Sequence, residues 1–231
     1  MTEPEPPVPA MVLALAVDET PEHIWQNELG GLTYRIGERY LKWNPRRTGI
    51  DLAREAARLD WVSARHPAPT VLEFGSDEEA EWMLTASIPG GYAVGDRWRA
   101  RPSEAIAAIA AGLRAIHALP VAEFPLEWLG TTWVDRQPPN LGPRPPIDDP
   151  VIVHGDACAP NTLIADNGTW TGNVGFGDLG VGDRWADLAV ASMSLDWNFG
   201  EGHQEEFLAA YGVAADEERI RYYRALWDQE S

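Results

Sequence analysis

The chain has 231 residues, of which 45% are hydrophobic and 11 are tryptophan, so it can bury a core and does not have the composition of a disordered protein. Its formal net charge is −18, from 18 basic and 36 acidic residues. This charge argues against a nucleic-acid partner, which needs clustered Lys and Arg, and leaves two interpretations open: simple solubility, or attraction of a polycationic small molecule.

Cysteine usage and hydropathy point to a reducing cytoplasm and away from a membrane. Cys158 is the only cysteine, so neither an internal disulfide nor a cysteine zinc cluster can form. No apolar run approaches the roughly 20 residues that span a bilayer. Residues 11–17 are apolar but short and follow an acidic, Pro-rich start, which predicts a packed strand or helix rather than a signal peptide. We expect a cytoplasmic monomer or weak dimer.

The first half of the chain has the pattern of a small sheet with one helix. Alternating and β-branched residues around Gly37 predict a hairpin, and apolar residues at helical spacing predict one helix. Two further strands follow before a break at Pro89-Gly90-Gly91. The predicted ranges are 33–36 and 40–43 for the hairpin, 50–64 for the helix, and 70–74 and 81–87 for the other strands.

The second half is mainly helical. Residues 103–119 form a strongly amphipathic helix with Ser103 as its expected N-cap. Residues 120–150 are rich in Pro and Trp and predict a loop with short helical turns, and a loop of that length usually has a function or is mobile. A hairpin ending at residue 174 and three further helices complete the chain, at about residues 184–195, 202–211 and 216–227.

This order predicts an α+β protein with two lobes. A mobile tail covers residues 1–10, a β-rich N-terminal lobe covers residues 11–88, and a helical lobe covers residues 89–231 and carries the chemistry. The hinge is expected near residues 85–92.

Residues His154 to Asn161 read HGDACAPN and lie between two apolar runs. Asp156 and Asn161 have the spacing of a phosphotransferase catalytic loop, in which the Asp takes or orients the proton of an attacking hydroxyl and the Asn holds magnesium. The alternative for Asp156 and Asn161 is capping of a turn. For His154 we favour packing of the loop over catalysis.

Lys42 on the predicted hairpin and Glu55 on the following helix form the second candidate pair. A strand Lys paired with a helix Glu holds the α- and β-phosphates of ATP in kinase-like folds, although such pairs are common by chance. Their order before the Asp156 loop favours the functional interpretation. Thr85 and Ser87 lie where a hinge would offer backbone groups to adenine.

The stretches HGDACAPNTLI and GDLGVGDRWADLA, with YLKW around Lys42 and LAREAARLDWV around Glu55, resemble the aminoglycoside phosphotransferase family, especially its 3′-hydroxyl-modifying branch. The resemblance implies a protein-kinase-like fold with a small antiparallel-sheet N-lobe and a mainly helical C-lobe. It implies ATP (or GTP), magnesium, and phosphoryl transfer to a hydroxyl of an aminoglycoside. It assigns Lys42 and Glu55 to the phosphate clamp, Asp156 to catalysis and Asn161 to the metal. Asp183 and Asp187 map to acidic positions that brace the site or the helix.

The sequence departs from this family at the expected metal-binding Asp, where Gly175 stands. Asp178, three residues later, could replace it or contact the substrate. Segment 120–150 is short for the family, and the usual aromatic C-terminus is absent. Three functions therefore stay open: an impaired aminoglycoside kinase, a non-catalytic nucleotide- or antibiotic-binding protein, and a kinase for another alcohol. Acidic residues near the C-terminus are candidate ligands for a cationic substrate, namely Glu201, Glu205, Glu206, Asp228 and Glu230.

Overall fold

The computed structural model describes residues 7–147 and 149–229, which divide into two units. The first unit comprises the described chain up to Asp60 together with Pro69–Ser87, and the second comprises Trp61–Ala68 and the described chain from Ile88 onward. The first unit is therefore not the continuous range 11–88 expected from the sequence. Most of the predicted tail, residues 1–6, lies outside the described residues, as does Glu230.

The elements of the first unit are α1 (Ala10–Ala16), β1 (Glu22–Gln26), β2 (Leu32–Ile36), β3 (Arg39–Pro45), α2 (Leu52–Ser63), whose last turn belongs to the second unit, β4 (Val71–Ser76) and β5 (Ala80–Ala86). The strands form one antiparallel sheet with the order β1-β2-β3-β5-β4. Strand β2 alternates buried and more accessible positions, and its Leu32, Tyr34 and Ile36 pack in a core with Val12 and Ala16 of α1.

The second unit is mainly helical, with short strands that flank the candidate catalytic loop. Its elements are β6 (Gly91–Tyr92), α3 (Asp96–Arg99), α4 (Pro102–His117), β7 (Val151–Val153), β8 (Thr162–Ile164), β9 (Trp170–Asn173), β10 (Gly180–Gly182), α5 (Arg184–Phe199), α6 (Gln204–Tyr211) and α7 (Glu217–Trp227). Strand β7 pairs with β10, and β8 lies between β6 and β9. Helices α4 and α5 supply much of the core through buried aliphatic residues.

The long helix α4 begins one residue earlier than predicted, and Ser103 is not its N-cap. Arg101 is the N-cap and Pro102 takes the first helical position. Proline is favoured there because its fixed φ suits the helix and its missing N–H would have no partner within the helix. The Ser103 prediction is wrong because it ignored this preference.

Segment 120–150 contains three 3₁₀ turns, as the sequence predicted: Val121–Glu123, Leu126–Trp128 and Trp133–Asp135. Apart from the turns, its described residues have no regular secondary structure. Across the described part of the chain, no helix is long and apolar enough to cross a membrane.

Candidate active site

The candidate catalytic loop connects β7 to β8 in the second unit. Gly155, the residue before Asp156, has a φ of +81°, a conformation that glycine adopts without steric cost. A Cβ atom at this position would lie 2.0 Å from the backbone oxygen of Asp178. Only glycine therefore fits at this turn of the loop.

Asp156 and Asn161 meet inside this loop. The Asn161 Nδ2 donates one hydrogen bond to Asp156 Oδ2 and another to the Asp156 carbonyl oxygen, both at 2.8 Å. Both bonds use the amide nitrogen, so Oδ1 of Asn161 takes no part in either. Both residues are half-buried, which leaves each partly open to solvent.

Asp187, on α5, holds the backbone of the loop from behind. Its carboxylate accepts hydrogen bonds from His154 N at 2.6 Å and Gly155 N at 3.0 Å, and also from His117 Nε2 at 2.9 Å. Complete burial is the largest single influence on Asp187 and raises its pKa. The hydrogen bonds from His117 and His154 N, with the electrostatic attraction of the two histidines, together outweigh burial, and the net pKa is below its usual value. The expected bracing role of Asp187 is confirmed.

Asp183 stabilises the N-terminus of α5. It is the N-cap of α5, where its side chain accepts a hydrogen bond from Trp185 N at 3.1 Å. Its other carboxylate oxygen pairs with Arg219 of α7. The two interactions fix the start of the helix that carries Asp187.

His154 packs the loop, as we expected. Its Nδ1 accepts a hydrogen bond from Asp156 N at 3.1 Å, so the ring proton must be on Nε2, which donates to the Val174 oxygen at 2.9 Å. The ring stacks on Phe176 with centroids 4.7 Å apart. The histidine thus joins the catalytic loop to the segment that contains Gly175.

Gly175 directly faces Asn161. It has the left-handed conformation, with φ 80° and ψ 47°, at the start of the 3₁₀ turn Phe176–Asp178. A Cβ atom built on it would lie 3.0 Å from Asn161 Oδ1. A carboxylate at residue 175 would therefore stand beside the Asn161 amide oxygen, and glycine supplies none.

The residues present fit the expected magnesium site only in part. Asn161 offers an amide oxygen, but magnesium in such enzymes is held by one or two carboxylates in addition to the phosphates. Among the described residues, no group of three or more His, Cys, Asp or Glu could hold a metal ion. Asp178, at the end of the same turn, is half-buried, and its backbone oxygen leaves no room for a Cβ atom at residue 155. Its role as a metal or substrate ligand stays a prediction.

In the first unit, Lys42 and Glu55 form the expected ion pair. Lys42 lies on β3 opposite Thr33 and Met83, and its Nζ is 2.5 Å from Glu55 Oε1 on α2. The Glu55 side chain is 11% exposed and that of Lys42 is 34% exposed. The carboxylate is thus fixed inside the unit, whereas the ammonium group is still accessible to a ligand.

Thr85 and Ser87 lie at the end of the sheet. Thr85 is buried in β5 and its hydroxyl donates to Tyr40 O at 3.4 Å. The Ser87 N–H donates to Glu38 O at 2.9 Å, so that amide is already used within the unit. Their predicted contact with adenine stays a prediction.

The predicted substrate ligands near the C-terminus lie at helix ends. Glu201 precedes α6, Glu205 and Glu206 occupy its first turn, and Asp228 follows α7. All four are exposed. Glu206 lies 3.6 Å from His203. Their contact with a substrate stays a prediction.

The residues in contact with the loop that were not identified from the sequence include Trp133 and Asn173. Trp133 donates its indole N–H to Gly155 O at 2.6 Å, and Asn173 donates to Asn161 O at 3.3 Å. Both contacts join residues that are distant along the chain. No local sequence pattern marks either of them.

The chain matches a family model and curated relatives over most of its length. The model of the phosphotransferase enzyme family matches residues 30–144 and 138–224. An aminoglycoside 3′-phosphotransferase of Streptomyces fradiae is 33% identical, over 89% of this chain and 95% of that protein. The chain belongs to the aminoglycoside phosphotransferase family.

Other members of the aminoglycoside phosphotransferase family match nearly the whole chain, in sequence or in fold. The streptomycin 3″-kinase of Streptomyces griseus is 27% identical over 86% of this chain and 88% of its own. The structure of the aminoglycoside phosphotransferase APH(3″)-Id from Streptomyces rimosus superposes with a TM-score of 0.71 at 25% identity, covering 94% of each chain. The protein-kinase-like α+β fold predicted from the sequence is confirmed.

Proposed function

We propose that this protein transfers the γ-phosphoryl group of ATP (or GTP) to a hydroxyl of an aminoglycoside. One observation carries the proposal: Asp156 and Asn161 meet, at 2.8 Å, in a loop whose backbone is held by the buried Asp187. Similarity to the 3′-phosphotransferase of S. fradiae supports the substrate class.

Asp156 is the group that would act on the acceptor. A carboxylate within hydrogen-bond reach of the attacking hydroxyl orients it and accepts its proton as the new P–O bond forms. Its amide N–H is bonded to His154 and its carboxylate to Asn161, so its direction is fixed before any substrate binds. Most of the catalysis of phosphoryl transfer is positioning and electrostatics, which this preorganisation supplies.

Lys42 is the group that would hold the nucleotide phosphates. Its ammonium is oriented by Glu55, and a single strong cation suits the α- and β-phosphates. Magnesium, when bound, would neutralise charge on the β- and γ-phosphates, and Asn161 is the residue that could contact it.

The missing carboxylate at Gly175 implies that this activity is reduced. Loss of one electrostatic partner of the transition state costs roughly a hundredfold in rate or more, by analogy with loss of one oxyanion donor. The same observation favours the second candidate function, a non-catalytic protein that binds a nucleotide or an antibiotic. The two candidates share the binding groups and differ only in turnover.

The acceptor is expected to be cationic. With a net charge of −18, the protein attracts a ligand that carries several ammonium groups. Asp178, Glu201, Glu205 and Asp228 are our candidate ligands for such a substrate.

Transfer of label from γ-³²P-ATP tests the proposal against its alternatives. The acceptors are a panel of aminoglycosides, sugars and choline-like alcohols, each with magnesium titrated. We expect slow but magnesium-dependent labelling of an aminoglycoside. Labelling of a sugar or an amino alcohol alone would assign a different substrate, and binding without any labelling would establish the non-catalytic function.

A further inference from the structure

We propose that Trp133 is a positioning residue for Asp156, because its indole N–H fixes the peptide group that precedes this carboxylate. The inference rests on the proposed phosphotransferase function. Trp133 lies in segment 120–150, far from the loop in sequence, and it is 5% exposed.

Both polar groups of the Gly155–Asp156 peptide are held by side chains. The carbonyl oxygen accepts from Trp133 Nε1 at 2.6 Å, and the N–H donates to His154 Nδ1 at 3.1 Å. Because a peptide group is planar, two hydrogen bonds on opposite sides fix its rotation. That rotation sets the direction in which the Asp156 side chain leaves the backbone.

Gly155 makes this restraint necessary. Glycine is required at that turn, since a Cβ atom would collide with the backbone of Asp178, but glycine also has the widest conformational freedom of any residue. Asp187 holds the N–H of Gly155, and Trp133 holds its carbonyl oxygen. Without the indole bond, the Gly155–Asp156 peptide would be held only through its N–H by His154, and its rotation would be less restrained and would carry Asp156 with it.

Trp133 is itself held in place from two sides. Thr132 and Asp135 form a capping box around the short turn that contains it, with Thr132 Oγ1 3.0 Å from Asp135 Oδ2. Its ring packs edge-on against Trp227, the last residue of α7, with centroids 5.1 Å apart. The indole N–H is therefore aimed at Gly155 by packing that does not depend on substrate.

Trp133→Phe removes the N–H donor and keeps an aromatic ring against Trp227. Hydrogen exchange of the Asp156 amide should become about tenfold faster, because this amide loses its fixed geometry. The kcat for kanamycin phosphorylation, measured in the parent or in Gly175→Asp, should fall about tenfold while KM for ATP and kanamycin stays unchanged, as expected for a misplaced catalytic group. Trp98→Phe, at another buried tryptophan of the same unit, is the matched control and should change neither quantity.

The two readouts separate this inference from the proposed function. If neither the parent nor Gly175→Asp phosphorylates kanamycin or any other aminoglycoside of the panel, the proposed function fails, and Asp156 exchange still decides whether Trp133 holds the loop. Exchange and kcat equal to those of Trp98→Phe would overturn the inference, as would a fall in kcat without faster exchange. If Trp133→Phe does not fold, indole exchange in the parent decides: protection of the Trp133 N–H supports the inference, and exchange as fast as at the exposed Trp197 overturns it.

Discussion

Gly175 stands where the resemblance to the family led us to expect a metal-binding aspartate. Its left-handed backbone conformation is uncommon for residues with a side chain, but Asp and Asn tolerate it better than most. A Cβ atom there would be 3.0 Å from Asn161 Oδ1, so this amide would have to move by a few tenths of an ångström. An aspartate is thus possible at residue 175, at a cost of about 1 kcal/mol.

Gly175→Asp should raise magnesium-dependent phosphoryl transfer by roughly a hundredfold, because it places a carboxylate beside Asn161. Steady-state kinetics at saturating ATP and kanamycin measure the gain. Gly175→Ala is the matched control, since it introduces a Cβ into the same left-handed backbone without a carboxylate, and it should bring no gain.

A site in which Asp178 binds the metal would respond differently to these substitutions. If Asp178 has taken over the metal, Asp178→Ala would abolish a substantial parental activity and Gly175→Asp would gain nothing. That pair of results would contradict the impaired-enzyme account.

Among the secondary-structure elements, the segment after α2 is joined to β9 by a hydrogen bond of the buried His66. His66 Nε2 lies 3.1 Å from Asn173 Oδ1, which also accepts from Trp170 Nε1 at 3.0 Å. Because the indole can only donate, the amide oxygen must face both rings, and His66 donates from Nε2. Burial lowers the pKa of His66 from 6.5 to about 4.

This depressed pKa makes stability depend on pH. Between pH 6.5 and 4 the unfolded chain binds the His66 proton and the folded chain does not, so stability falls as the pH drops through this window. The loss should be about 2 kcal/mol between pH 7 and pH 5.

His66→Gln keeps an N–H donor for Asn173 but cannot titrate, so it should remove about 2 kcal/mol of the pH dependence. Urea unfolding at pH 7 and pH 5 measures the difference. His203→Gln, at the start of α6 and outside this cluster, serves as the control. An unchanged pH dependence in His66→Gln would show that His66 is not buried in its neutral form.

The elements that the sequence predicted well are those with a local signal. The hairpin around Gly37 and the helices α2, α4, α6 and α7 were found to within a few residues, because their apolar periodicity and turn residues are contiguous. Strand β1, whose residues are mostly exposed, has no such periodicity and was missed. Helix α1 confirms the packed element predicted over residues 11–17, and it begins at Ala10, the last residue of the range assigned to the tail.

In the candidate site, too, the residues that form a contiguous sequence signal could be predicted and the others could not. The loop from His154 to Asn161 is one contiguous run, so its residues could be identified from spacing alone. The contacts of Trp133 and Asn173 with that loop join residues far apart in sequence and depend on packing. Sequence reasoning could identify segment 120–150 as functional or mobile but could not single out Trp133.

At the scale of the whole molecule, the net charge of −18 predicts that electrostatics dominates substrate binding. Attraction of a cationic ligand is screened over a Debye length of about 8 Å at physiological ionic strength. The Kd for kanamycin should therefore rise roughly tenfold between low and high salt. Calorimetry at the two ionic strengths measures it, and an affinity independent of salt would favour an uncharged acceptor.

The central claim is that Asp156 carries out phosphoryl transfer in this chain. Asp156→Ala removes the carboxylate from a half-buried loop position and should leave the fold intact, as circular dichroism can verify. The decisive measurement is the turnover of γ-³²P-ATP with kanamycin, at saturating concentrations of both, for the parent and for Asp156→Ala. We expect slow transfer by the parent and none by the variant; measurable and equal turnover of the two proteins would show that Asp156 is not the catalytic residue.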